Sequence, residues 1–454
     1  MDRPSVVILA AGKGKRMYSS LPKVLHPIAG EPMLAHVIRT ARTLDPARLI
    51  VVYGHGGEQV RARITDTDIV WVEQSEQLGT GHALKMALPE LSQTGTTVVL
   101  YGDVPLTRTA TLQDLLQAAQ GGMAVLTDEV VNPSGYGRIV RNAQGQVEQI
   151  VEDKDCTSEQ RDICEINTGM LALPNARLAE WLNALNNGNA QGEYYLTDVI
   201  GLAATAGVHV GSTRVAHSYE AAGVNNKVQL AELERIHQRN RALELLQQGV
   251  TLLDPARIDV RGKLTCGRDV SIDVNCVFEG NVELGDNVTV GANCVLKNIR
   301  VAAGTQIAPF SLLEDAKVGE ACKIGPFARL RPGAELSAHV HIGNFVEVKK
   351  SFIGEGSKVN HLTYIGDTSI GSKVNVGAGC VTVNYNGVDK FRTTIEDNVF
   401  VGSGTLMVAP VTLEQGSTIG AGSVISKTAP ANELTVARAR QVTIPGWKRP
   451  QKKS

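Results

Sequence analysis

Residues 318–348 read VGEACKIGPFARLRPGAELSAHVHIGNFVEV, and an aliphatic side chain falls on every sixth position: Val318, Ile324, Leu330, Leu336, Ile342 and Val348. Backwards, the same series passes through Leu313, Ile307 and Val301, then, after a five-residue step, Leu296, Val290, Leu284, Phe278 and Ile272. Forwards, it runs through Ile353, Val359, Ile365, Ile370 and Val376, and again through Ile395, Val401, Met407, Leu413, Ile419 and Ile425. Four residues after most of these stands something small: Val288, Cys294, Ala328, Ala334, Ser357, Thr363, Thr405, Ser417 and Ser423. Arg300, Lys317 and Phe352 break that rule, each just before a five-residue slip. A period of six fits neither the 3.6 of a helix nor the 2 of a long strand. It suits a short strand and a turn, repeated so that each turn stacks on the last. The aliphatic residue then fills the interior of a three-sided coil. A rung of about 18 residues holds three repeats, with neighbouring strands about 4.8 Å apart.

The chain has 454 residues, of which 43% are hydrophobic and 46 are glycine, and a net charge of −1. That length suggests about two to four domains, each able to bury a core. No overall field points to nucleic acid or to a membrane surface. The apolar run Val6–Ala11 is too short for a signal-peptide core or a membrane span, so a cytoplasmic protein is expected. Seven cysteines without a CxxC pair indicate neither a zinc site nor a disulfide framework. Cys276, Cys294, Cys322 and Cys380 occupy the small position of the repeat, and Cys266 extends the aliphatic series one step back. A free cysteine serves there as a small hydrophobe.

Ahead of the repeats, residues 5–11 (SVVILAA) have the continuous apolar character of a buried parallel strand. They open into Gly12-Lys13-Gly14-Lys15-Arg16-Met17. A glycine loop between a strand and a helix gathers backbone N–H groups, and Lys13, Lys15 and Arg16 add positive charge, so phosphate is the expected ligand. The loop is neither GxGxxG nor a P-loop. Strands expected at Leu49–Tyr53, Ile69–Val72 and Val98–Leu100 alternate with helical stretches. Such alternation predicts a mostly parallel sheet that binds ligands beyond its strand C-termini. Gln74 with Leu78-Gly79-Thr80-Gly81 follows one strand end, and Tyr101-Gly102-Asp103 follows another. An Asp there facing a triphosphate is where Mg²⁺ needs a ligand, although, taken alone, a turn residue before Pro105 explains it better. Residues 226–249 read as a connecting helix of about 33 Å. Val228, Leu233, Ile236, Leu243 and Leu246 are expected to form its one apolar stripe.

Three resemblances sharpen this reading. The hexapeptide array resembles the left-handed parallel β-helix of hexapeptide acyltransferases; its hand comes from that likeness, since the crossover rule predicts the opposite. Leu9-Ala10-Ala11-Gly12-x-Gly14-x-Arg16-Met17 with Leu21-Pro22-Lys23 resembles the signature of sugar-nucleotide pyrophosphorylases, which have a Rossmann-like α/β domain; Lys15 stands where that motif has threonine. With Gly135-Tyr136-Gly137-Arg138, Glu152, Asn167-Thr168-Gly169 and Gly223-Val224-Asn225-Asn226 added, the chain resembles the family of bacterial bifunctional uridylyltransferase/acetyltransferases that make UDP-N-acetylglucosamine for peptidoglycan and lipid A.

The last resemblance implies a uridylyltransferase domain (1–227), a linker helix (228–248) and an acetyltransferase β-helix (249–454). In the first, it implies that Leu9, Ala10, Ala11, Gly12, Tyr101 and Gly102 help hold UTP and Lys23 offsets phosphoryl charge. Gln74, Gly79 and Thr80 read uracil, Gly137, Glu152 and Asn167 hold the amino sugar, and Asp103 with Asn225 binds one Mg²⁺. In the second, His361 is the expected general base for acetyl transfer from acetyl-CoA to glucosamine 1-phosphate, because an imidazole with a pKa near about 6.5 suits neutral pH. Arg331 and Lys349 would hold the sugar phosphate, Tyr364 and Asn375 the sugar, and Ala378, Asn384, Tyr385, Ser403, Ala421 and Arg438 acetyl-CoA. The polar segment Val383–Arg392, where the repeat is lost, is a candidate lid. In that family it reaches over a neighbouring subunit of a homotrimer. Other readings are a pyrophosphorylase whose β-helix serves only regulation and assembly, and a non-catalytic scaffold. His361 and the 383–392 loop oppose the first; Gly12–Met17, Lys23, Asp103 and Asn225 oppose the second.

Overall fold

A computed structural model describes residues 3–54 and 56–452. The chain forms two compact units divided between His237 and Gln238.

In the first unit, Ser5–Leu9 lies at the centre of the sheet, hydrogen-bonded in parallel to Arg48–Tyr53 on one side and to Thr96–Tyr101 on the other. Ile69–Glu73 extends the first side. Beyond Thr96–Tyr101 come Glu165–Pro174, which is antiparallel, then Gly122–Glu129 and His209–Arg214. The alternating residues of the central strand are all buried, Val6 and Ile8 in one layer and Val7 and Leu9 in the other. That is why this strand reads as an unbroken apolar run. Leu9 is level with both Val52 and Tyr101. The loops after these strands therefore leave the sheet along one edge, at the point where successive strands are added on opposite sides. The glycine loop does not lead into an α-helix as expected. Gly14 is left-handed, a single 3₁₀ turn follows at Lys15–Met17, and Tyr18 is left-handed again. Backbone amides are gathered there without the dipole of a long helix.

The second unit is a parallel β-helix. Every in-phase aliphatic residue from Ile272 to Ile425 is 5% exposed or less. Eleven strands stack on one face, from Thr251–Leu252 to Leu434–Thr435. The slips have one location. Leu296/Val301, Leu313/Val318, Val348/Ile353 and Ile365/Ile370 flank the same corner, with the unslipped Leu330/Leu336 rung between the second and third pairs, and so do Thr382 and Ile395, the ends of the irregular loop. In the shortened turns the left-handed residue comes one place early, at Asn298, Asp315, Lys350 and Asp367. The buried corner residue then moves to Ile299, Ala316, Ser351 and Thr368, which is why Arg300, Lys317 and Phe352 are exposed.

The helix Lys227–Gln247 starts with Asn226, whose Oδ1 accepts from Gln229 N, while Gln229 Oε1 accepts from Asn225 N. It ends at left-handed Gly249, where Val250 N donates to Leu245 O. The expected stripe is its buried face only in part: Leu233 is buried and Ile236 half-buried, but Val228, Leu243 and Leu246 are exposed, whereas Gln238, Ala242 and Leu245, outside the stripe, are buried. The reason lies at the open end of the coil. Gln238 exchanges two hydrogen bonds with the backbone of Val260, Arg241 donates to Leu264 O, and Ala242 and Leu245 join the coil's core. A sheet edge needs polar partners as well as apolar cover, so the helix was chosen for capping and not for a simple stripe.

Leu330 is fully buried between rungs, and Leu330→Ala is expected to destabilise the β-helical unit by about 2–5 kcal/mol. Leu253 is exposed, and Leu253→Ala should change stability by less than about 0.5 kcal/mol. Calorimetric unfolding of both variants checks the contrast.

Candidate functional sites

The loops along the sheet edge enclose a cavity of about 500 Å³ lined by Leu9, Ala10, Ala11, Gly12, Lys23, Gln74, Gly79, Thr80, Tyr101 and Asp103. Register holds them together: Ala10 N donates to Val52 O, Gly102 N to Leu9 O and Gln74 N to Tyr53 O. Gly14 supports the loop in a way that no other residue matches. Its φ is +58°, and a Cβ there would lie 2.7 Å from Lys23 Cβ. Lys15 is exposed and lies outside this lining.

Lys23 Nζ donates to Asp103 Oδ2, and to Asn225 Oδ1 at 3.2 Å. Val224 N donates to Asp103 O at 3.0 Å, which holds the Asn225 loop against the Asp103 strand end. One cation thus sits between two side-chain oxygens. Among the described residues no cluster of three or more His, Cys, Asp and Glu side chains could hold a metal. A Mg²⁺ here would take Asp103 and Asn225 oxygens and complete its shell from phosphate and water, as Mg²⁺ commonly does.

Gly137, Glu152 and Asn167 form a second group. Asn167 N donates to Gly137 O, Asn167 Oδ1 accepts from Gly169 N, and Glu152 Oε1 accepts from Thr197 Oγ1. Tyr101 links this group to the cavity, its ring packed where a Cβ on Gly169 would stand. Burial, with Glu152 and Asp103 nearby, pushes the Tyr101 phenol up; burial also raises the Glu152 carboxyl, Thr197 opposing and Asp198, Asp155 and Asp153 adding. Buried Arg138 ties the flanking loops through Tyr136 O and a 2.9 Å ion pair to Asp153. Sequence reasoning missed Gln77 and Glu193, which also line the cavity. Both lie in irregular connections whose residues follow no period.

In the β-helix, His361, Ala378, Ser403 and Ala421 form one column at one corner. Gly379 N donates to His361 O, Gly404 N to Ala378 O and Gly422 N to Ser403 O, while Arg438 donates to Ala421 O at 2.7 Å. The left-handed position of this corner changes character at His361. Below it stand Phe310, Phe327 and Phe345, stacked with centroids 5.0 and 5.2 Å apart, then exposed Leu362. Above it stand Gly379, Gly404 and Gly422, all at φ 71°. The corner is therefore bare for about three rungs of about 4.8 Å, a strip suited to an extended ligand that ends at an imidazole.

On the adjoining face, Tyr364 is in register with Glu347, and Lys349 with Gly366. The Tyr364 hydroxyl lies over Gly366, where an added Cβ would be 2.4 Å from it. Arg331 pairs with Glu347 at 2.7 Å, which raises its guanidinium pKa. The Lys390 ammonium, then desolvation and Arg331, hold the Lys349 amine below its ordinary value. Three cations gather here, with Glu347 and Asp367 the acids beside them. Lys390 was not legible as a site residue, because it belongs to the aperiodic loop. That loop is a hairpin closed by a Tyr385–Lys390 bridge, with Asn384 Nδ2 donating to Asp367 Oδ2. Two expected groupings are not met within one chain. Asn375 lies on the face that carries Lys358 and Phe400, and Asn384 and Tyr385 emerge at the slip corner, away from the His361 column. The cysteines offer no nucleophile here: Cys276, Cys294, Cys322 and Cys380 are buried, and burial pushes the Cys294 thiol up to about 12.

The MobA-like NTP transferase domain family matches residues 6–165. The bacterial transferase hexapeptide (six repeats) matches 264–298, and the hexapeptide repeat of succinyl-transferase matches 392–427. Fold and sites together define a bifunctional transferase, a nucleotidyltransferase joined to a hexapeptide acetyltransferase. The chain is 76% identical over 454 residues to "Bifunctional protein GlmU" of Chromobacterium violaceum, covering 100% of both chains. It is 59% identical over 451 residues to the protein of that name in Cupriavidus pinatubonensis (99% of each), and 59% identical over 450 residues to that of Aromatoleum aromaticum (99% of each). The chain belongs to this GlmU family, which favours two activities over a β-helix that serves assembly alone.

Gly14→Ala forces Lys23 to move, and a shift of that kind at a reacting centre costs about 10²-fold. Nucleotidyl transfer is expected to fall by about that factor while acetyl transfer is unchanged, as paired assays of the two half-reactions will show.

Proposed function

We propose that the chain makes UDP-N-acetylglucosamine in two steps at separate sites. Acetyl passes from acetyl-CoA to the 2-amino group of glucosamine 1-phosphate. The phosphate oxygen of N-acetylglucosamine 1-phosphate then attacks the α-phosphorus of UTP, and pyrophosphate leaves. The observation that carries this reading is the pairing of a phosphate-cradling cavity in one unit with a glycine-floored strip ending at His361 in the other.

In the first unit, Lys23 would neutralise phosphoryl charge, backbone amides of the Ala10–Gly14 loop would cradle phosphate, and Glu152 and Asn167 would orient the amino sugar. Mg²⁺ bound by Asp103 and Asn225 would polarise the phosphates. In the second, Arg331, Lys349 and Lys390 would hold the sugar phosphate while Tyr364 positions the ring. His361 Nε2 would take the proton from the amine as nitrogen attacks the thioester carbonyl, and CoA leaves as the thiol. The basic tail through Lys448, Arg449 and Lys452 suits the acidic phosphates of CoA.

Separate assays decide the division of labour. Asp103→Ala should abolish UTP-dependent pyrophosphate release and leave acetyl-CoA-dependent thiol release nearly untouched. His361→Ala should lower thiol release by about 10²–10⁴-fold, the range for losing a positioned base, and spare pyrophosphate release from N-acetylglucosamine 1-phosphate. Loss of both activities in a folded Asp103→Ala protein would refute separate sites. Near-normal thiol release by His361→Ala between pH 6 and 9 would assign the base elsewhere.

The active assembly in this reading is a homotrimer working in the cytoplasm. Its support is the distribution of the acetyl-CoA residues: Ala378, Ser403 and Ala421 lie on one corner of the coil, Asn384 and Tyr385 on another, so a neighbouring copy supplies the second set. Light scattering at micromolar concentration should give the mass of three 48.4-kDa chains; a monomer would overturn it.

A further inference from the structure

We propose that Asn344 is the positioning residue that holds His361 in the tautomer able to accept a proton. The inference rests on the reading of His361 as the base and adds the group that makes it one. His361 is exposed, and a free imidazole on a surface samples several rotamers and both neutral tautomers. Here its Nδ1 lies 2.8 Å from Asn344 Oδ1. An amide oxygen only accepts, so the proton is on Nδ1 and the lone pair on Nε2, at the end of the ring remote from Asn344.

The contact is built by the coil. Asn344 and His361 are cross-rung partners, and Leu362 N donates to Asn344 O at 3.1 Å. Gly343 allows the two rungs to close up, because a Cβ there would come within 2.0 Å of Asn360 O. The rung below carries His341, beside Lys323 and Lys358, and the rung above carries Asn375, which does not titrate. Round the corner, the adjoining strands carry Tyr364, Glu347 and Lys349, and no carboxylate is among the neighbours on the strands of this face. A neutral amide fixes the ring and carries no charge, whereas a negative charge beside an imidazole raises its basicity. An aspartate would do both.

Three full-length variants separate the possibilities, with pyrophosphate release as a control for folding. Asn344→Ala is expected to lower kcat for acetyl transfer by about tenfold or more, part of the about 10²–10⁴-fold a positioned base supplies, with KM for both substrates within about twofold. Asn344→Asp keeps an acceptor. It should recover most of the lost rate, and it should move the acidic limb of the kcat/KM profile to higher pH. His361→Gln is the reference. If His361→Gln retains acetyl transfer, the base reading fails and this inference falls with it. If His361→Gln is inactive but Asn344→Ala keeps wild-type kcat, only the inference on Asn344 is overturned. It is equally overturned if both Asn344 variants lose activity alike with an unmoved pH profile, which marks a purely structural role.

Discussion

The structure depends on one requirement: every strand of the coil must hydrogen-bond to the strands above and below it. Arg329 N donates to Val346 O, Glu347 N to Thr363 O and Tyr364 N to Cys380 O, and this pattern continues rung after rung. A slip of one residue would turn an aliphatic side chain outward and a charged one into the core. Coil length is therefore quantised, and irregularity is confined to the corners. The corners in turn need a left-handed residue, met by Asn275, Asn287, Asn293 and Asn398, by glycine, and in the stacked column by phenylalanine. Asparagine suits this conformation because its short side chain bonds locally.

How much could be read beforehand follows from where periodicity exists. Interior positions of the coil repeat every six residues, so each was visible in the sequence. Residues outside the period were visible only through motifs. Lys23, Asp103 and Asn225 come from distant parts of the chain, and no spacing predicts that their side chains meet; the family signature did. Lys390 and Asn344 belong to neither a repeat position nor a motif. Asn344 meets His361 by stacking at 17 residues, an interval that depends on slips whose common corner is seen only in three dimensions, and Lys390 reaches Lys349 from the irregular loop. The linker helix failed for another reason. Its buried face was selected to saturate an open sheet edge, so glutamine and alanine stand where a hydrophobic pattern was expected.

The two units answer different chemical demands with different geometry. Phosphoryl transfer needs charge brought to one point from several directions, and a parallel sheet supplies this by ending its strands along one edge. Acetyl transfer from a long cofactor needs a straight track with one reactive group at its end. In the reading proposed above, a coil whose corner residue can be changed rung by rung would supply that, with aromatic rings below His361 and bare backbone above it.

The concentration of every length change between Ile272 and Ile425 at one corner also says where this chain tolerates insertion. From Thr382 to Ile395 the step is thirteen residues where six is usual, yet Thr368–Ile370 pairs with Thr393–Ile395 and Val381–Val383 with Leu406–Val408 in unbroken register. A foreign peptide grafted at the equivalent turn of another rung, such as Leu330 to Leu336, would start from the same anchoring. Along the glycine column, Gly379, Gly404 and Gly422 hold a left-handed backbone rung after rung, and no such latitude exists there. One prism thus offers an edge open to variation and an edge closed to it, a division useful for choosing graft sites in protein engineering.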